Sequence, residues 1–365
     1  MTKNKTQGSQ RNCCAFLDLV GTRAALEMDP ARYAEMLRVY TLNVAECAEK
    51  EEIEYVGFSD SVYAGFKTVD SVVRFMRVLR MSLIRASVGR FATPMFFKGG
   101  VVYGHFHYDH SANGKMYTFS KDAIKAYAIH EKYKAIGPIV DEEIVSNLDD
   151  RRFVKVPSFI FEGAVPACFW DIAFSEEDVD ILFDVKGHVY FERLVREMAI
   201  STMKHSKLIG KYMTYFTALF LSVLLYDQTH EKFDDAWKLF HTTLKDHGLT
   251  KIVTQSKEYQ WMCCFIMQSI FTNVFCDKDG KIMEYQSYNA THHEIMRSIY
   301  EPSNNAKFRF FQDIPNEIVC SLAKHHLLRL LWDCPDGLAA RKHDPPTTKM
   351  KVDPVPKTDK ITGKR

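Results

Sequence analysis

No disulfide framework can be drawn on this sequence. Its nine cysteines are an odd number without a C-x-x-C or a metal-like spacing, and Cys13-Cys14 and Cys263-Cys264 are neighbours inside apolar runs. They read as buried free thiols of a reducing cytoplasm, which excludes a small disulfide-stapled fold. Charge of one sign is also lacking: the net charge is +2, so nothing argues for nucleic acid as the main partner. No apolar run spans a bilayer comfortably. The longest, Tyr212 to Tyr226, contains Thr214, Thr217 and Ser222; it reads as a buried helix, with a membrane segment as the alternative. Residues Met1 to Arg11 are polar and basic with no apolar centre, unlike a signal peptide. Ser158, Ser201 and Ser206 lack a G-x-S-x-G setting, and there is no internal repeat.

What is present is an ordinary globular composition, 46% apolar and 26% charged, over 365 residues, enough for two domains or one with a large appendage. Asn12 to Val20 reads as a buried strand ended by Gly21. Asp29-Pro30 reads as an N-cap and first helical residue, with Tyr33, Met36, Leu37, Tyr40, Val44 and Cys47 following on one helical face. Ile53 to Gly57 and Val62 to Phe66 read as a hairpin around Ser59-Asp60. A second helix covers Val69 to Ile84, then a strand Phe96 to Phe106, a polar loop His107 to Met116, a returning strand Tyr117 to Phe119, and a third helix Asp122 to Ala135 stopped by Gly137-Pro138. Ile139-Val140 begins the next strand, and Phe159 to Phe174 and Val185 to Phe191 read as the strands that complete the sheet. The order β-α-β-β-α-β is the ferredoxin-like pattern of an α+β fold, expected as an antiparallel sheet with helices on one face. The expected division is a flexible N-terminus over 1–11, a sheet-bearing unit over 12–194, an α-helical region over 195–338 and a Pro/Lys-rich disordered tail over 339–365. That tail holds eight Lys/Arg against three Asp, so the remainder is net acidic.

Two stretches carry chemistry. Phe16-Leu17-Asp18-Leu19-Val20-Gly21-Thr22 and Phe58-Ser59-Asp60-Ser61-Val62 each set one aspartate beside a strand-like apolar run, 42 residues apart. A lone Asp at a strand end is usually a turn residue or cap. Two such residues brought to one sheet edge can bridge two divalent cations, with the carbonyl of Leu19 completing a coordination shell. Gly21 lets backbone N–H groups between Val20 and Arg23 approach phosphate oxygens. Phe16 lies two before Asp18, so on a strand it shares that face and is placed to line a nucleotide pocket.

The first stretch resembles F-x-D-[IL]-x-G-[FS]-T, the first metal motif of class III adenylyl and guanylyl cyclases, with one residue missing before Thr22. The second resembles the family's hairpin, with Ser59 where the family has Gly. Gly100-Val101-Val102-Tyr103-Gly104 fits the family's G-[IV]-x-x-G strand, and Gly137-Pro138-Ile139-Val140 resembles the strand after it. The resemblance covers residues 12 to 195. It implies a triphosphate cyclised with Mg²⁺ or Mn²⁺ held by Asp18, Asp60 and the Leu19 carbonyl, Gly21 and Thr22 near the phosphates, and a homodimer with sites between subunits.

The departures point to a subtype. The purine-reading position before the second aspartate is Val56, and the second base-reading position is Tyr117. Where the family carries Asn and Arg on the helix after the G-[IV]-x-x-G strand stand Ile124 and Ala128, leaving Lys121 and Lys125 as the nearest cations for the phosphates. A Tyr in the pocket leaves room for a smaller ring. The chain so resembles the bacterial pyrimidine cyclases of Pycsar anti-phage defence, which implies cyclic UMP or cyclic CMP as product, UTP being favoured, and a separate effector activated by it. The alternatives are an adenylyl or guanylyl cyclase with an unusual pocket, and an inactive nucleotide-binding signalling domain. His105 and His107 read as a histidine-bearing hairpin, with zinc as the alternative, and Trp237, Trp261 and Trp332 as core.

Overall fold

Every residue from Cys13 to Leu17 is uncharged, and the structure buries all five in the first strand. This computed structural model describes residues 12–90, 95–106, 108–110, 116–118, 120–133, 135–146, 152–159, 167–183, 187–204, 208–226 and 231–275. Strand β1 (Cys13–Leu19) leads through Gly21 into α1 (Thr22–Met28). Asp29 then caps α2 (Pro30–Lys50), its carboxylate accepting the Arg32 N–H at 3.0 Å with Pro30 as the first helical residue. The hairpin β2 (Glu54–Phe58) and β3 (Ser61–Phe66) precedes α3 (Val69–Arg90) and β4 (Phe97–Tyr103). A small ribbon, β5 (Tyr108–His110) and β6 (Met116–Thr118), leads to α4 (Lys121–Tyr133) and β7 (Gly137–Val140). After α5 (Glu142–Val145) come β8 (Phe153–Ser158) and β9 (Ala167–Ile172). The rest is helical: α6 (Glu176–Phe183), α7 (Gly187–Lys204), α8 (Ile209–Tyr226), α9 (Glu231–Asp246), α10 (Thr250–Thr254) and α11 (Lys257–Phe275).

The fold is α+β. Seven strands form one sheet in the order β2-β3-β1-β4-β7-β9-β8. The first four neighbours are antiparallel, the ferredoxin-like arrangement expected from the element order. Strand β7 lies parallel to β4, which makes the sheet mixed, and β9 and β8 continue it antiparallel.

Alternation along β1 assigns the two faces. Cys13, Ala15, Leu17 and Leu19 pack with Met36, Tyr40 and Val44 of α2 and Phe75, Met76 and Leu79 of α3. Cys14 and Phe16 pack with Ala123 and Ala126 of α4 on the opposite face. Helices therefore cover both faces, where one was expected. The spacing of Ala123, Ala126 and His130 tells which side of α4 is buried but not which side of the sheet receives it.

Two further expectations are corrected. Val185 to Phe191 is not a strand; Gly187 onward is α7, which buries Tyr190, Phe191, Leu194, Val195 and Met198 at helical spacing. A short apolar run satisfies either period, and the longer periodicity decides. Of the strand expected over Phe159 to Phe174 the structure shows β9 over Ala167–Ile172, and an unexpected strand, β8, lies before it. β8 carries Pro157 at the sheet edge, where a missing N–H removes no ladder bond.

Helix α7 runs without a break through residue 194. Its buried side joins Phe216 and Phe220 of α8, Trp237 of α9 and Val154, Val156 and Phe169 of the sheet in one core. Among the described residues α8 is the one helix long and apolar enough to cross a bilayer, and 83% of it is buried inside the structure. Burying each of its large apolar side chains is worth about 1.5–3 kcal/mol, which accounts for its place in this core. The expectations for residues 1–11 and for everything beyond residue 275, Trp332 and the tail included, lie outside the described residues.

Candidate active site

Strand register assembles the site. On the face that α4 covers, Ser61 of β3, Asp18 of β1 and Lys98 of β4 form one cross-strand row, with Phe58 of β2 opposite Ser61. The adjoining row is Val56, Tyr63, Phe16 and Gly100. Asp60 sits in the β2–β3 turn beside β1, its carbonyl accepting the Leu19 N–H at 2.9 Å. The two aspartates read from the sequence therefore meet at one end of the sheet.

The turn that presents Asp60 is strained. Ser59 has φ 55, in the left-handed region that favours glycine. That is the position where the cyclase motif carries Gly.

Both carboxylates are held. Ser61 Oγ donates to Asp18 Oδ1 at 3.0 Å, and Thr22 Oγ1 donates to Asp60 Oδ2 at 2.5 Å. Lys98 Nζ lies 3.0 Å from Asp18 Oδ2. His130 Nε2 lies 3.8 Å from the same oxygen. Burial, and then the charge of Lys98, push the His130 imidazole down to about 4, so it stays neutral near pH 7. The Tyr40 hydroxyl, buried on α2, makes no hydrogen bond. Its ionisation is opposed first by burial and then by Asp18 and Asp60, so it too stays neutral.

This donor set fits a hard divalent cation. Two carboxylates and a strand-end carbonyl are oxygen ligands of the kind Mg²⁺ and Mn²⁺ take, and the Lys98 ammonium already places positive charge against Asp18. At Gly21, with φ 84, an added Cβ would meet nothing within 4 Å, so the backbone beside Asp18 borders open space. Among the described residues no group of three or more His, Cys, Asp or Glu gathers anywhere, so the candidate site offers a cation a pair of carboxylates and no third such side chain; His105 shares a hydrogen bond with Asn12 at 3.0 Å. His107 lies outside the described residues.

The other expected site residues are distributed as follows. Phe16 shares the face of Asp18 but is buried among Tyr63, Tyr127 and His130, with ring centroids 4.9, 5.1 and 4.9 Å away. Val56 is buried in the same row. Tyr117 lies in the separate β5–β6 ribbon, opposite Asp109. Lys121 is exposed at the start of α4. Lys125 is exposed and ion-paired with Asp141, which raises its pKa, rather than with either site aspartate.

Sequence reasoning missed Lys98, Ser61 and His130. The signal for Lys98 was present: it is the lone charge in the apolar stretch Met95-Phe96-Phe97-Lys98-Gly99-Gly100-Val101. Gly100 shows what brings His130 in. A Cβ there would sit 2.1 Å from the Ala126 carbonyl oxygen, so its absence lets α4 press onto β4.

No protein-family model matches the chain, and no curated protein matches it. Among solved structures it is similar to the guanylyl cyclase Cya2, at 14% identity over 46% of this chain and 93% of that one, with a TM-score of 0.35. It is similar to the adenylyl cyclase CyaB from P. aeruginosa, at 14% identity over 46% and 96%, TM-score 0.35. The guanylate cyclase domain of RhGC from Catenaria anguillulae, in complex with GTP, matches at 12% identity over 46% and 98%, TM-score 0.34.

Proposed function

We propose that this chain is a nucleotide cyclase that converts a pyrimidine nucleoside triphosphate, UTP ahead of CTP, into its 3′,5′-cyclic monophosphate and diphosphate. The observation that carries this reading is the meeting of Asp18 and Asp60 at one sheet end, both oriented by hydroxyl donors. Two divalent cations, Mn²⁺ or Mg²⁺, held by Asp18, Asp60 and the Leu19 carbonyl, would supply the charge that activates the 3′ oxygen and stabilises the departing diphosphate.

The chain's own residues do the rest. Ser61 and Thr22 fix the carboxylates by donating to them, as outer partners of metal ligands do. Gly21 leaves room for phosphate beside Asp18. Val56 and the ring of Tyr63 in the next row offer an apolar wall, and the sequence resemblance assigns Tyr117 to the second base-reading position. In the reaction the 3′ hydroxyl gives up its proton to water as its oxygen bonds to the α-phosphorus, and the bond from that phosphorus to the bridging oxygen breaks, releasing diphosphate.

Lys121 and Lys125 serve the phosphates only if a second copy delivers them, so the enzyme we propose is a homodimer. Phe58, Ile124 and Tyr127 are exposed large apolar residues, and Phe58, Tyr63, Phe16 and Tyr127 are joined by ring contacts. A second copy covering this patch would bring α4 to the site. The sequence resemblance extends the proposal to a cytoplasmic enzyme in anti-phage defence whose product activates a separate effector, with 12–194 as catalytic unit and 195–338 as a helical appendage.

A second reading, a nucleotide-binding domain without turnover, is favoured by Ile124 and Ala128 at the family's Asn and Arg positions and by the engagement of Lys125 with Asp141. One experiment separates them. The purified protein is incubated with ATP, GTP, CTP and UTP in turn with Mn²⁺, and products are identified by mass spectrometry. Cyclic product from UTP or CTP alone upholds the proposal, a cyclic purine product redirects it, and bound nucleotide without product upholds the second reading.

A further inference from the structure

We propose that Phe96 is a positioning residue of the acidic pair: its ring takes its place from helix α8 and its carbonyl passes that place to the end of β1, so that the helical region sets the geometry in which Asp18 and Asp60 meet. This rests on the reading of Asp18 and Asp60 as a cation site.

Three observations carry it. The end of β1 is held from both sides. Successive N–H groups of a strand point to opposite neighbours. Here the Leu19 N–H donates to the Asp60 carbonyl at 2.9 Å, and the Val20 N–H donates to the Phe96 carbonyl at 2.8 Å. The first hold comes from the turn that carries Asp60. The second comes from the residue just before β4, and Asp18 lies two residues before Val20.

The second observation is what seats Phe96. Met95 and Phe97 on either side of it belong to the core under α2 and α3. Phe96 is buried in the other core, the one that α7, α8 and α9 share with the sheet, and Val20 packs against that core too. The Phe96 ring stands edge-on to Tyr215 and Tyr212 of α8, with centroids 5.2 and 6.1 Å away.

The third is that α8 is itself tied to the far half of the sheet. Ser222 Oγ accepts the Phe174 N–H at 3.0 Å, and Thr214 Oγ1 lies 3.4 Å from the Pro157 carbonyl. The Tyr215 ring also stands at 87° to the Phe174 ring, 5.7 Å away. Edge-to-face rings hold a defined geometry, and a close-packed interior passes displacements on. A shift of α8 therefore moves Phe96, and Phe96 moves Val20. The helical region gains a route to the site without touching a substrate.

The test uses full-length protein with Mn²⁺ alone as the probe, followed by loss of its free electron-spin resonance signal well below the melting midpoint. Tyr215→Leu and Phe96→Leu are each expected to weaken Mn²⁺ binding about fivefold, and the double variant no more than Phe96→Leu alone, because both act along one route. Tyr215→Phe keeps the ring and keeps the affinity. Phe220→Leu alters the same helix where its ring meets Phe233, Trp237 and Phe240; it lowers the melting midpoint and leaves Mn²⁺ binding unchanged. Tyr212→Leu and Phe96→Met decide where a first variant does not fold, as judged by circular dichroism melting. Unchanged binding in the Tyr215 and Phe96 variants, additive losses in the double variant, or an equal loss in Phe220→Leu overturns the proposal. Asp18→Asn and Asp60→Asn keep the two readings apart. If they weaken Mn²⁺ binding while Tyr215→Leu and Phe96→Leu do not, the cation site stands and the route through Phe96 falls. If they bind Mn²⁺ like the wild type, the cation site fails and the proposal falls with it.

Discussion

Two ion pairs sit on the same sheet and behave as opposites. Lys98 and Asp18, with side chains 22% and 19% exposed, meet at the open end through one contact of 3.0 Å. Arg80 and Asp171, 6% and 2% exposed, meet inside the molecule. There Arg80 also donates to the Ile172 carbonyl at 3.1 Å and lies 4.1 Å from the centroid of the Phe174 ring. The first pair is a single contact with a partly exposed ammonium that water can reach. The second is a guanidinium tied to the Asp171 carboxylate and Ile172 carbonyl of β9 and to the Phe174 ring just after it, beside Tyr190 and Tyr215 of α7 and α8. The open pair is one partly solvated contact; the closed one is buried and held at several points.

Breaking the closed pair is expected to have the largest effect. Arg80→Met at pH 8 strands the Asp171 charge and should cost about 3–5 kcal/mol in urea unfolding. Breaking the open end should leave stability alone and remove function. Asp60→Asn is expected to lower cyclic-nucleotide production by about a thousandfold, through lost charge at the phosphates, while the urea midpoint holds.

A third prediction sharpens the contrast through pH. Burial pushes the Asp171 carboxyl up to about 7 from its ordinary 3.8, against the pull of Arg80. The folded chain therefore keeps this proton where the unfolded chain has lost it. The stability it contributes is full below pH 3.8 and falls away as pH rises through about 7. Between pH 5 and 8 the urea midpoint of the wild type should fall more than that of Asp171→Asn; parallel profiles would contradict the assignment. The smallest effect belongs to the turn that carries Asp60. Ser59→Gly relieves the left-handed backbone and should raise stability by about 0.5–1 kcal/mol in thermal unfolding, with activity kept.

The legible parts of the sequence were those fixed locally. The Asp29-Pro30 cap, the period of α2 and α3, and the hairpin around Ser59-Asp60 each depend on neighbours within a few residues. The face that α4 chooses and the row joining Ser61, Asp18 and Lys98 depend on strands far apart in the chain, and no periodicity encodes which strands become neighbours. Asp18 and Asp60 could be picked out because each stands at the end of an apolar run. Lys98 was overlooked because its partner is 80 residues away. Val189, Tyr190 and Phe191 misled because three β-favouring residues in a row outweighed, on local reading, the helical spacing that continues to Met198.

The most direct test of the acidic pair is anomalous diffraction from crystals soaked with Mn²⁺ and a non-cyclisable UTP analogue. The account predicts two manganese peaks about 3.5–4 Å apart, each within coordination distance of an oxygen of Asp18 or Asp60. Density for the nucleotide without manganese at either carboxylate would contradict it.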